Sequence, residues 1–278
     1  MTMLLQEALL FTAVLSTATA FWSVPTRGSS LPHHATSQPF DFERSIDLLM
    51  VEDPLLVGEK RNVYVNHGDV QMDSISRNHG FLAVGVLLGD SDLVEIASLC
   101  KMEAHQVSEG GLLATLLAVG RVTLTSRNKS CPARYFCAPV KDAVLSSDLQ
   151  NAVLVEGNID SFVTKLTDME RCLGFQRSFR HEYECAFRNA LDVEEDSSSL
   201  VALLTATSWA VFSVCSDQTS YRIRALDWCN LFERLKLAQY MLRERELVLQ
   251  GRMMTLERIA LDELDDAGDV EQEMEEFQ

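Results

Sequence analysis

The chain predicts an α+β fold, with a small, strongly bent β-sheet or barrel in the first half and a lobe of packed helices in the second. Two observations carry this. From Pro54 to Thr125, short β-rich runs are separated by turn residues: Asn62-Val-Tyr-Val65, Phe81-Leu-Ala-Val-Gly-Val-Leu-Leu88, Leu93-Val-Glu-Ile-Ala97 and Gly111 to Leu124. Beyond Asn158 the period changes, and apolar residues recur every three or four positions, as on one face of an α-helix.

Taken in order, Ile46 to Val51 reads as the first strand and Asp53-Pro54 as the turn that ends it. The β-rich part closes with Tyr135 to Val140, where Pro139, having no N–H to give a ladder, suits an edge position. Ile159, Phe162, Val163, Leu166 and Met169 then form a helical stripe with Asn158 as its N-cap, and Phe179, Tyr183, Phe187 and Leu191 form a second. The acidic, serine-rich stretch Asp192 to Ser199 breaks the pattern, with Ser197, Ser198 or Ser199 capping the next helix. Leu200 to Val214 is apolar nearly all round, yet short and interrupted by Thr205, Thr207, Ser208 and Ser213, so it predicts a buried helix and no membrane span. Trp228, Leu231, Leu235, Ala238 and Leu242 make a last stripe. Beyond Glu246 the chain stays helix-prone to Leu261, then turns acidic from Asp262 to Glu276, as in a solvated tail or one that engages a basic partner.

Composition limits the function classes. A chain of 278 residues with 47% apolar content can bury one or two cores, and a formal charge of −17 repels phosphate backbones, so nucleic acid is not an expected partner. The seven cysteines (Cys100, Cys131, Cys137, Cys172, Cys185, Cys215 and Cys229) contain no Cys-x-x-Cys pair, which leaves them as buried small hydrophobes, with Cys131 and Cys137 close enough for a local bridge in an oxidising compartment.

The N-terminus reads as an address. Leu4 to Val14 is a short apolar run, and Ala18-Thr19-Ala20 is a small-residue cleavage signature, placing the cut between Ala20 and Phe21. No acidic residue stands between Glu7 and Asp41, and Ser, Thr, Pro and His are frequent there, as in a transit peptide. A signal peptide followed at once by phenylalanine and an acid-free, hydroxylated stretch resembles the two-part presequence of algae with secondary plastids, such as diatoms. The expected location is therefore a plastid, with secretion as the alternative.

The β-rich run and the final helix together resemble the N-terminal, substrate-binding domain of Lon-type ATP-dependent proteases. The matching positions are Pro54 and Gly58 in a turn, Phe81 and Gly85 in a strand, Gly120-Arg121 in the next, and Asp227 with Arg234 in the closing helix. Here Val57-Gly58 replaces the family's Pro-Gly, and Val63-Tyr64-Val65-Asn66 lacks its acidic residue. The resemblance covers Ile46 to Glu246 and implies a PUA-like bent barrel followed by a helical lobe. The implied division is a signal peptide (1–20), a transit-like segment (21–41), the β-rich lobe (42–156), the helical lobe (157–250), and a helix end with acidic tail (251–278).

There is no Gly-Lys step, hence no phosphate-cradling loop, and no Gly-x-Ser-x-Gly elbow. His181-Glu182-Tyr-Glu-Cys185 has cysteine where a zinc protease needs its second histidine; His67, His79 and His105 lack partners; Asp90 and Asp92 suit a turn; and Asn128-Lys-Ser130 matters only in the secretory route. No catalytic residue, cofactor or metal is assigned, and Pro54, Gly58, Phe81, Gly85, Gly120, Arg121 and Arg234 are structural positions. The resemblance implies a non-enzymatic module that recognises unfolded or partly folded proteins as adaptor or holdase, with a plastid protease as a further partner. The alternative is a small-molecule or RNA-binding protein, or an uncharacterised enzyme, on the same fold. Strand edges offer β-augmentation, and the helical lobe is expected to offer an apolar groove.

A fluorescent protein fused behind the first forty or so residues is expected to enter the plastid of a diatom cell, and Phe21→Ala to strand it outside. Import of both fusions alike would remove the two-part presequence.

Overall fold

The strands form a ring because the first strand is bordered on both sides. In the computed structural model, described over residues 44–66, 75–76, 78–88, 92–108, 111–128, 134–194, 198–215 and 219–275, β1 (Arg44–Val51) runs parallel to β3 (Phe81–Leu88) and antiparallel to β7 (Arg134–Pro139). Antiparallel pairs of β7 with β6 (Gly111–Arg127), β6 with β5 (Ile96–Ser108) and β5 with β3 complete a closed five-strand barrel. Two-residue β4 (Asp92–Leu93) adds to β3, and β2 (Lys60–Asn66) to the first half of β6. The expected α+β fold, bent sheet then helices, is what the chain forms. Ala20, Phe21 and the presequence, like Cys131, His67 and Asp90, lie outside the described residues.

Two runs expected to be short are long. β6 spans 17 residues and serves two neighbours in turn, β2 along Gly111–Leu117 and β7 along Val122–Arg127. β5 continues past Ala97 through Lys101, Glu103 and His105, and register shifts at Leu99/Cys100 and Met102/Ala104 supply the bend that lets a long hairpin join a small barrel. Its far half is mostly exposed, so no apolar alternation marks it. Pro139 is not on an edge strand, since β7 is bordered by both β1 and β6.

The helices are α1 (Ser146–Cys172), α2 (Phe179–Leu191), α3 (Leu200–Cys215), α4 (Thr219–Asp227) and α5 (Leu231–Glu275). α1 starts three turns before Asn158, which is therefore no N-cap; the first turns carry few buried side chains, so their periodicity is weak. Ser199 does cap α3, its Oγ accepting from the Ala202 N–H at 3.1 Å. Trp228 precedes the last helix, whose cap is Asn230, with Oδ1 accepting from the N–H groups of Phe232 and Glu233 at 3.0 and 3.3 Å. The backbone of α5 stays helical through the acidic run to Glu275. Among the described residues no helix is long and apolar enough to cross a membrane.

Both lobes fall within one compact unit, His34–Gln278, and the turn between β1 and β2 ties them. Leu55 belongs to a barrel core with Leu82, Val84 and Leu116, whereas the next residues, Leu56 and Val57, belong to the helical core with Trp209, Phe212 and Leu235. Gly58 completes the turn at φ +87° and sits against the end of α2, so close that a Cβ would lie 2.5 Å from the Ala190 nitrogen.

Gly58→Ala is therefore expected to lose at least about 2 kcal/mol, from left-handed strain and a backbone clash. Gly157→Ala, in open space on α1, is expected to gain about 0.5–1 kcal/mol through helix propensity. Urea unfolding of the two variants measures both signs.

Candidate functional site

The seam between barrel and helices holds the strongest charge constellation among the described residues. Arg121 leaves β6 where its neighbour changes from β2 to β7, and its guanidinium is 4% exposed. Its Nη1 donates to the carbonyls of Leu226 (2.6 Å) and Trp228 (3.0 Å), and its Nη2 pairs with Asp142. Arg234 on α5, 0% exposed, grips the same carboxylate with both fork nitrogens, to Oδ1 and Oδ2 at 2.6 Å each, and its Nε donates to Ser208 Oγ at 2.9 Å. The Trp209 ring receives both cations, Arg234 at 4.0 Å and Arg121 at 5.3 Å from its centroid. Such contacts suit guanidinium, which is weakly hydrated and planar.

Electrostatics follow from that geometry. Burial alone pushes the Asp142 carboxyl up, but Arg234 and then Arg121 outweigh it and hold the group below its ordinary range. Burial, then the like charge of Arg234, lowers Arg121, and Asp142 counters.

A second tie is built on Arg222 of α4, 4% exposed, which reaches the β1–β2 turn. It donates to the Pro54 carbonyl at 2.8 Å, pairs with Glu59, and stands 3.1 Å from Asp53 Oδ1. Arg61 joins the same carboxylates, at 3.0 Å from Asp53 and 3.6 Å from Glu59. Glu59 Oε2 also accepts from the Leu56 N–H at 3.0 Å, which fixes the turn.

The expected structural positions thus separate. Arg121 and Arg234 meet through Asp142; Pro54 and Gly58 share the Arg222 turn; Phe81 packs on a barrel cluster with Ile46, Leu48 and Val122. Gly85 lets Leu48 and Leu93 approach, since a Cβ there would lie 3.0 and 3.2 Å from their Cδ1 atoms, while a Cβ on Gly120 would meet nothing within 4 Å. Sequence reasoning missed Asp142, Trp209 and Arg222. A lone aspartate after a strand gives no local sign of a partner 92 residues away. Of the rejected candidates, His79 adopts φ 57° in a turn and His105 lies in β5. No group of three or more His, Cys, Asp or Glu side chains suited to a metal occurs among the described residues.

Two surfaces remain open to a ligand. β2 pairs only with β6, so among the described residues its other edge carries no strand and half its N–H and C=O groups face outward. On the outer face beside that edge, Tyr64 and its cross-strand partner Leu113 are 51% and 42% exposed, and Tyr64 lies over Gly111, where a Cβ would lie 2.9 Å from its ring. The second surface is a groove of about 400 Å³ between Gly58–Arg61, α2 (Glu182, Cys185, Asn189) and the end of α3. Its lining is mixed, with the ion-paired side chains of the turn on one side and Ala186 and Val214 among the apolar groups on the other.

No protein-family description matches the chain, and no curated protein does. Among solved structures, the fold is similar to the N-terminal domain of Mycobacterium avium complex Lon protease, at 13% identity and TM-score 0.49, covering 72% of this chain and 98% of that one. It is also similar to a Lon N-terminal domain protein from Xanthomonas campestris, at 14% identity and TM-score 0.41, covering 69% and 95%.

Asp142→Asn is expected to cost about 3–5 kcal/mol at pH 7, because two buried guanidiniums lose their counter-charge. The folded carboxyl has a depressed pKa, so its contribution is present above the ordinary aspartate value and lost as pH falls through the folded one. Urea midpoints of the two proteins are therefore expected to converge below about pH 4.

Proposed function

We propose that this chain is a non-enzymatic protein-binding module of the Lon N-domain type, which holds extended segments of unfolded or partly folded proteins as an adaptor or holdase in a plastid. The open edge of β2 carries this reading. An extended segment has free backbone groups to pair with that edge, and its alternate side chains fall on the Tyr64–Leu113 face; a folded client hides both. The family motif positions support the same reading, since Arg121, Arg234, Pro54 and Gly58 all serve the seam that presents β2 on a fixed support. The formal charge of −17 speaks against RNA. A small-molecule role has one observation in its favour, the open groove beside the β1–β2 turn.

Fluorescence anisotropy of a labelled, permanently unfolded polypeptide, with its folded form as control, tests the proposal. Binding of the unfolded form alone is expected, and Tyr64→Glu is expected to weaken it about tenfold, or ~1.4 kcal/mol, without lowering the melting temperature. Equal binding to both forms, or none to either, would count against substrate recognition.

A further inference from the structure

Protein binding at β2 leaves the groove unused, and a nucleophile in its lining, Cys185, stands beside a base on the same helix. Cys185 on α2 lines it, and His181, one helical turn earlier, places Nε2 3.8 Å from the Cys185 Sγ, both side chains being exposed. We propose that Cys185 and His181 form a reactive-thiol site that takes small electrophiles and small-molecule disulfides into the groove.

Three features carry it. The thiolate is the attacking species, and a neutral imidazole within reach of the sulfur is the group that accepts its proton. The groove beside Sγ, about 400 Å³, is open to solvent and admits a small reagent to the sulfur. The charges that face the thiol from the elements around the groove leave it no fixed counter-ion: Lys60 is held by Glu103, Arg61 by Asp53 and Glu59, and Glu182 lies near Arg177 at 3.9 Å. His181 is the titratable side chain in contact with the sulfur.

The chemistry balances without further reagents. With an alkyl halide, Sγ forms the S–C bond, halide leaves with the bonding pair, and the thiol proton passes to His181. With a disulfide, Sγ attacks one sulfur, a mixed disulfide forms, and the other half leaves as a thiolate that takes up the proton. The adduct then occupies the groove against Gly58–Arg61.

Two other cysteines serve as internal references. Cys100 is fully buried in the barrel, and burial pushes its thiol far up, so it stays inert while the protein is folded. Cys172 is exposed at the C-terminal end of α1 and serves as the freely accessible reference.

The test is alkylation of the full chain by limiting iodoacetamide at pH 7, with each cysteine followed by peptide mass spectrometry. Cys185 is expected to react at least about fivefold faster than Cys172, and His181→Ala to slow Cys185 about fivefold while Cys172 is unchanged. Unmodified Cys100 reports that each protein is folded. If His181→Ala exposes Cys100, His181→Gln replaces it as the variant compared. The same Cys185 rate with and without the imidazole, or a wild-type Cys185 that reacts no faster than Cys172, overturns the proposal. Incubation with oxidised glutathione is expected to give a mixed disulfide at Cys185, and none forming would overturn the disulfide half of it.

Discussion

One carboxylate shared by two guanidiniums organises this protein. Asp142 follows the last strand, Arg121 comes from the middle of β6, and Arg234 from the first turns of α5, so the barrel, the connecting segment and the longest helix converge on a few atoms. Burying charge is costly unless each donor and lone pair is used. Here the requirement is met locally: the carbonyls of Leu226 and Trp228 take Arg121, Ser208 takes the Arg234 Nε, and the Trp209 ring takes the flat faces of both cations. Ser208 in turn donates to the Thr205 carbonyl at 2.7 Å, which explains a polar side chain inside an otherwise apolar helix. Specificity is the gain from such an arrangement, because only one docking of the helices on the barrel satisfies both arginines.

The β1–β2 turn works as the second half of the same joint. Leu55 points to the barrel core and Leu56 and Val57 to the helical one, so the turn cannot shift without opening both. Arg222 reaches it from α4, and Gly58 lets the end of α2 close on it. Ties of α5 to α1, by Arg245 with Glu170 at 2.7 Å and Lys165 with Glu246, hold the helical side of the joint straight. A rigid seam of this kind sets β2 at a fixed place, with one edge paired and the other open.

The surfaces divide by chemistry. The β2 edge and the Tyr64–Leu113 face offer backbone groups and apolar area, suited to an extended chain. The groove offers charge, amide and thiol. Its charged side is made by the ion pairs that lock the turn, so the same residues that stabilise the seam shape the room next to Cys185.

Arg121 and Arg234 were marked only by the resemblance to the Lon N-terminal domain; local periodicity by itself determined the α+β order, the buried helix from Leu200 with its cap among Ser197, Ser198 and Ser199, and the stripe through Leu231, Leu235, Ala238 and Leu242. These are properties of neighbours in sequence, where spacing of two or of three to four residues reports which face is buried. Tertiary structure alone decided the rest. The polar half of β5 and the first turns of α1 are regular without an apolar face, so nothing in their side chains announces them. Pro139 ends a strand that is bordered on both sides, and which strands border it is a matter of topology. Asp142 became the centre of the molecule only when folding brought together groups 21 and 92 residues apart, because a charge partner is chosen by distance in space and leaves no period in the chain.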